Sequence, residues 1–304
     1  MLFFLLALVI FSGKMASYKR SFAVSFEYGK AGSDAVSTNE WIEFSNKIPA
    51  SKEFTACQWI KPHYFNKNIA INLWSYCTIQ TVGDAMQCIQ MYLQPTTQSA
   101  NRDLVVVGEM KLEGSIRRFQ MDVKSFSHRV WAHFCWSVSS LTKEGKFYYN
   151  GNLLGIHTLK VHKNQTVIKG NSNTLDAAFI FGQEPDLMRG GYDKFQAFIG
   201  DLTELNIWSY LVGDNKIREM AQCKDWTKGS LVVWEKNSII SHNVIIKELE
   251  DASSLCIDNH RLVIFPQKVQ YSRAKEVCEI HGGKLAIPKS QKVHGQFNFI
   301  IGCF

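Results

Sequence analysis

The chain has 304 residues, 46% hydrophobic and 20% charged, so it carries enough apolar material for a packed core and is not a globally disordered polymer. Its formal net charge is +7, from 34 Lys and Arg against 27 Asp and Glu. The excess is dispersed, its densest spots (Ile116-Arg117-Arg118 and the segment 160–169) read as solvated basic faces, and no nucleic-acid partner is expected.

Residues 2–11 are a wholly apolar run followed by Ser12-Gly13-Lys14. The run is too short to span a hydrocarbon core of roughly 30 Å, which takes about 20 helical residues. A signal peptide over residues 1–20 is expected, with a secreted, extracellular product. The cysteines at 57, 77, 88, 135, 223, 256, 278 and 303 contain no Cys-x-x-Cys pair, and the histidines lack zinc-ligand spacing. Paired disulfides in an oxidising compartment follow, although spacing alone leaves their connectivity open. Asn164-Gln165-Thr166 is a glycosylation sequon, which places Asn164 as an acceptor.

From Ser21 to about Gly200 the chain is a succession of short β-type runs separated by turn signals. Strands are expected at 22–28, 54–60, 69–76, 86–93, 104–110, 130–138 and 177–182. Phe147-Tyr148-Tyr149, Asn150-Gly151 and Leu153-Leu154 spell a hairpin, because Asn-Gly supplies the positive φ angles of a type I′ turn. Many strands at close spacing with little helical periodicity predict an all-β, two-sheet sandwich. One short helix is expected from Gly213 to Gln222, with Asp214 as N-cap and Ile217 and Met220 facing inward. Composition shifts near Ser253-Ser254. Beyond it, Tyr271 to His281 has helical spacing, ended by Gly282-Gly283, and Leu285-Ala286-Ile287 reads as a strand.

The chemically distinctive stretch is FGQEPDLMRGGYDKFQAFIGDL, from Phe181 to Leu202. Residues i and i+2 of a strand share a face, so Glu184 and Asp186 are expected to project together. Gly190-Gly191 lets the chain fold back and bring Asp193 and Gln196 toward the same point. Carboxylates that converge without a counter-charge repel one another, and a hard cation such as calcium relieves them.

This stretch resembles the calcium loop of the pentraxin family in the spacing of its acids and glutamine. A second family motif, His-x-Cys-x-Ser/Thr-Trp-x-Ser/Thr, is matched by His133, Cys135, Ser137 and Ser140, with Val138 in place of the tryptophan. The resemblance covers about Ser21 to Cys256. It implies a jelly roll, of pentraxin or laminin-G type, over 21–258, with a disulfide between Cys57 and Cys135. It also implies a Ca2+ site from the side chains of Glu184, Asp186, Asp193 and Gln196, the Pro185 carbonyl, and Asn68. The family's Asp-Asn pair reads Lys67-Asn68 here. Exchanging a carboxylate for an ammonium matters, since a unit charge at 4 Å is worth about 4 kcal/mol at an effective dielectric near 20. One bound ion is therefore expected rather than two. Leu73 stands where the family's phosphocholine binders place an aromatic against the ligand, which makes it a candidate pocket residue. The partners implied are phosphorylated or anionic surface ligands, glycans among them, and the chain could form a homo-oligomer.

Cys77–Cys88 is expected as a local hairpin bridge and Cys223–Cys256 as a closure of the end of the sandwich, which leaves Cys278 and Cys303. YSRAKEVCEIHGGKLAIPKS, in the tail, resembles the first helix and strand of a C-type lectin-like domain, so 259–304 is expected to be a truncated α+β segment of that kind. Catalysis is not expected. Jelly-roll glycoside hydrolases use a Glu-x-Asp-x-x-Glu strand, and Arg189 occupies the third acid's place after Glu184 and Asp186. The alternative to a calcium-dependent recognition module is an adhesive or structural ectodomain fragment of a cell-surface receptor with a weakened calcium site.

Overall fold

The computed structural model describes residues 21–26, 37–45, 47–63, 70–79, 85–95, 104–112, 115–123, 126, 129–172 and 175–256, together with the backbone of two tail strands, Val263–Phe265 and Ile301–Cys303. The expected signal peptide, Lys67-Asn68, Cys278 and the tail helix and strand at 271–281 and 285–287 lie outside these residues. Among the described residues, no helix is long and apolar enough to cross a membrane.

Two seven-stranded antiparallel sheets face each other. The chain runs β1 (Ser21–Phe26), β2 (Trp41–Phe44), β3 (Glu53–Pro62), β4 (Ile71–Ile79), β5 (Gln87–Pro95), β6 (Leu104–Leu112), β7 (Ser115–Val123) and β8 (Ala132–Ser139). It continues through β9 (Glu144–Tyr149), β10 (Asn152–Thr158), β11 (Asp176–Phe181), β12 (Gly200–Trp208), α1 (Asp214–Ala221), β13 (Ile239–His242) and β14 (Ile245–Leu249). The first sheet has the order β10-β9-β8-β3-β12-β1-β14 and the second the order β13-β2-β11-β4-β5-β6-β7.

Aromatic side chains from the inner faces fill the gap between the sheets. Trp74 stacks on Trp136 at 5.8 Å and on Phe179 at 5.3 Å, while Phe54 meets the Trp136 ring edge-on at 5.2 Å. Each such ring buries a large apolar area, which is what drives the two sheets together. The hairpin β9–β10 turns at Asn150 (φ 46°) and Gly151 (φ 78°), both left-handed as a type I′ turn requires.

Strands β2, β7, β12, β13 and β14 lie outside the runs expected from sequence. β2 is only four residues long, and β7 alternates strictly, with Arg118 outward and Phe119 inward, so its Arg-Arg pair stood out as charge before it stood out as a strand. The helix also differs from expectation at its start. Gly213 is the N-cap (φ −66°, ψ 148°), without a side-chain cap, and Asp214 is the first helical residue, its carboxylate accepting a 2.8 Å bond from the Tyr148 hydroxyl. Ile217 and Met220 are buried as expected, packing with Tyr148 and Trp208 over a disulfide on the first sheet's outer face.

That disulfide is Cys57–Cys135, joining register partners on β3 and β8. Cys77–Cys88 joins partners on β4 and β5, and Cys223–Cys256 links the residues after α1 to the 3-10 turn at Ala252–Cys256. The Cys57→Ala/Cys135→Ala double variant is expected to lose about 2–5 kcal/mol of stability. Urea midpoints measured without reductant check this, and an unchanged midpoint would contradict it.

Candidate metal centre

The acidic loop, 182–199, joins β11 to β12. β11 stops at Phe181 because Gly182 adopts φ 84°, and a Cβ at that position would stand 2.2 Å from the Phe26 ring. Glu184 and Asp186 therefore lie beyond the strand, which corrects the expectation that strand alternation aligns them. Three contacts hold the loop's path. The buried Gln183 donates from Nε2 to the Ser37 and Glu40 carbonyls at 2.9 and 3.0 Å. Arg189 reaches back to Glu43 (2.8 Å), Asp176 (2.7 Å) and the Ala177 carbonyl (3.1 Å). Phe198 donates its N–H to the Gly182 carbonyl at 2.8 Å.

Within this frame Leu187 and Gly190 exchange backbone bonds of 3.1 and 3.0 Å, and Gly191, at φ 69°, sends the chain back as the glycine pair predicted. A tight turn follows, closed by Gln196 N–H to the Asp193 carbonyl at 2.9 Å. Asp193 also accepts the Phe195 N–H on Oδ1 at 2.9 Å. Asn72 N–H then donates to the Gln196 carbonyl at 2.9 Å and docks this turn onto β4.

Beneath the loop, the outer face of the second sheet carries a polar row. Register partners run Glu43, Ile180, Ser75, Gln90, Glu109 and Arg118, one from each of β2, β11, β4, β5, β6 and β7. Ser75, Gln90 and Glu109 are buried. Asn72 donates to the Ser75 hydroxyl (2.9 Å), Ser75 to Gln90 Oε1 (3.4 Å), and Gln90 to Glu109 Oε1 (3.1 Å). Arg118 grips Glu109 Oε2 from Nε at 2.9 Å and from a terminal nitrogen at 2.7 Å. A bulge between Asn72 and Trp74 puts both Leu73 and Trp74 in the core. Leu73 is only 2% exposed, so it is a core residue and offers no surface to a ligand, a correction to its expected pocket role.

The charges explain what this arrangement demands. Burial pushes the Glu184 carboxyl up to about 7, and the nearby Asp186, Glu109 and Asp193 push the same way, against a hydrogen bond with Gln90. The neighbouring guanidiniums are already engaged, Arg118 by Glu109 and Arg189 by Glu43 and Asp176. Asp186 and Asp193 are exposed, and Pro185 is buried between Glu184 and Asp186. Among the described residues, the one group with all its ligand atoms within 4.8 Å is Cys57, His133 and Cys135. It is no metal site. Its sulfurs are bonded to each other, and burial holds His133 neutral, its pKa lowered to about 3.

The three loop acids do not bring their carboxylate oxygens all within 4.8 Å of one another. Their donors are all oxygens, as a hard divalent cation requires. Asn72 Oδ1 adds a buried oxygen with no hydrogen-bond partner. The residues present fit calcium. Gln90, Glu109 and Asn72 are the parts that sequence reasoning missed, and their signal was a polar residue inside an otherwise apolar strand run.

Comparison with known proteins agrees on one family. The model for the Pentaxin family matches residues 35–248. C-reactive protein 1.4 of Limulus polyphemus is 22% identical over 66% of this chain and 75% of its own length. The mouse neuronal pentraxin receptor is 26% identical over 42% of this chain but only 24% of its own length, so the chain spans a minor part of that relative. The native heptameric SAP-like pentraxin of Limulus polyphemus superposes with a TM-score of 0.58 at 19% identity, covering 78% of this chain and 97% of that one.

The charge state of Glu184 gives a testable sign. An unfolded glutamate titrates near 4.3, and the folded one near 7, so the folded state holds this proton more tightly. Metal-free protein should therefore lose stability as pH rises through that window. Glu184→Gln should melt higher than the wild type at pH 8 in chelator and nearly level with it at pH 4. An equal difference at both pH values would contradict the assignment.

Proposed function

Because the chain belongs to the pentaxin (pentraxin) family, we propose that it is a secreted recognition module that binds phosphorylated or anionic surface ligands, glycans among them, through calcium. The observation that carries this reading is the acidic loop seated on a buried polar floor, with Glu184 left short of positive charge. The side chains of Glu184, Asp186, Asp193 and Gln196, the Pro185 carbonyl and Asn68 would hold the ion. Bound there, calcium supplies a concentrated positive charge for ligand oxygens. This chain's residues place and orient the ion. Arg189 and Gln183 fix the loop's course, and the Asn72 N–H seats its second turn.

Catalysis is not part of the reading. The position that would hold a third acid in a hydrolase belongs to Arg189, whose guanidinium clamps the loop to Glu43 and Asp176. Asn164 is exposed at a turn with φ 65°, which suits an extracellular glycosylation site. Self-association is proposed by analogy with the heptameric Limulus structure. The second reading, an adhesive or structural ectodomain fragment with a weakened site, is favoured by Lys67 and fits the tail after 258, which is proposed as a C-type lectin-like segment.

Lys67 also sets the ion count. With an ammonium where a second ion needs a carboxylate, calorimetry should find one calcium per chain and weak or absent phosphocholine binding. Lys67→Asp should add a second ion and raise phosphocholine affinity on the order of tenfold, which is about 1.4 kcal/mol. Two ions in the wild type, or none, would overturn the proposal.

A further inference from the structure

Asn72 is an anomaly in the outer face of β4. It is 2% exposed, yet its carboxamide oxygen has no hydrogen-bond partner. Buried polar atoms are nearly always paired, because an unmade bond forfeits the hydration that the atom had in water. Most of the other unpartnered side-chain atoms lie elsewhere, such as the indole nitrogens of Trp74 and Trp136 within the aromatic core. Asn72 instead sits under the acidic loop. Its N–H holds the Gln196 carbonyl at 2.9 Å, and its Nδ2 leads through Ser75 (2.9 Å) and Gln90 (3.4 Å) to Glu184. The side chain is therefore bracketed by the two ends of the candidate ligand set.

The backbone is bent to put it there. With Leu73 and Trp74 both turned into the core by the bulge, Asn72 and Ser75 are the residues on either side that face outward. An apolar side chain at position 72 would fill this buried space without leaving an orphan acceptor. A carboxamide oxygen is an ordinary calcium ligand, and it needs no proton to be released before it binds.

We propose that Asn72 is a calcium ligand supplied by the sheet, its Oδ1 completing from below the oxygen shell that the loop provides from above. The inference rests on the calcium reading of this loop and adds to it a residue outside the loop. It also gives the bulge in β4 a purpose, which is to aim a neutral oxygen at a place already crowded with carboxylates.

The test uses the full chain, calcium chloride as the only probe, and two variants. Asn72→Leu should melt at or above the wild-type temperature in chelator, because the orphan acceptor is gone, and should bind calcium about tenfold more weakly by calorimetry. Asn72→Asp should melt lower than the wild type in chelator, where it adds another carboxylate, and should bind calcium more tightly. If the wild type binds calcium while a folded Asn72→Leu or Asn72→Asp binds it with unchanged affinity, Asn72 is not a ligand and the calcium reading stands. If the wild type takes up no calcium, that reading falls and this inference with it.

Discussion

The structure turns on one electrostatic problem, the carboxylate of Glu184 held partly out of water beside Asp186, Asp193 and Glu109. Each feature around it either creates that concentration of charge or keeps it from being dispersed. Gly182 ends β11 early, so the chain turns across the sheet. Gln183 and Arg189 then pin the loop's first half, and the Asn72 N–H pins the second. A loop free to move would relax the repulsion by swinging its acids into solvent. This one can do so only at its exposed side chains, Asp186 and Asp193.

Arginines are close at hand and do not solve the problem. Arg118 spends its guanidinium on Glu109 and Arg189 spends its own on Glu43 and Asp176. Charge-assisted, multidentate pairs of this kind are among the stronger polar contacts, so neither arginine is free to neutralise the loop. Protonation of Glu184 relieves that crowding, and a bound cation would relieve it in the same way. The sandwich gives this contest a rigid platform, since the floor residues project from strands whose inner faces are locked in an aromatic core and one of whose pairs is cross-linked by Cys77–Cys88.

Much of this was legible in the sequence, and the exceptions have physical causes. The sandwich and the Asn150-Gly151 hairpin follow from β-type runs and one turn dipeptide. Cys57–Cys135 follows from the family resemblance, and Cys77–Cys88 and Cys223–Cys256 from their expected places in a local hairpin and at the end of the sandwich. Glu184, Asp186, Asp193 and Gln196 could be grouped as candidates because they sit on one contiguous loop. Gln90, Glu109 and Asn72 could not, because strand register brings them beneath that loop, and register is set by long-range pairing that no local window reveals. Leu73 was misplaced for a related reason. A single bulge reverses which face a residue occupies, and nothing in INLWSYCTI announces it. Aspartate commonly caps helices, so sequence alone points to Asp214, but Gly213 holds the cap position and the Asp214 carboxylate accepts the Tyr148 hydroxyl.

The most direct measurement of the central claim counts the protons released when calcium binds. A cation that coordinates Glu184 must displace the proton that its raised pKa retains near neutrality. Calorimetric titration with calcium at pH 7, in buffers of different ionisation enthalpy, reads that number from the slope of observed enthalpy against buffer enthalpy. The account predicts a release of about half a proton per ion for a group titrating near 7, and its loss in Glu184→Gln. A binding enthalpy independent of buffer would contradict it.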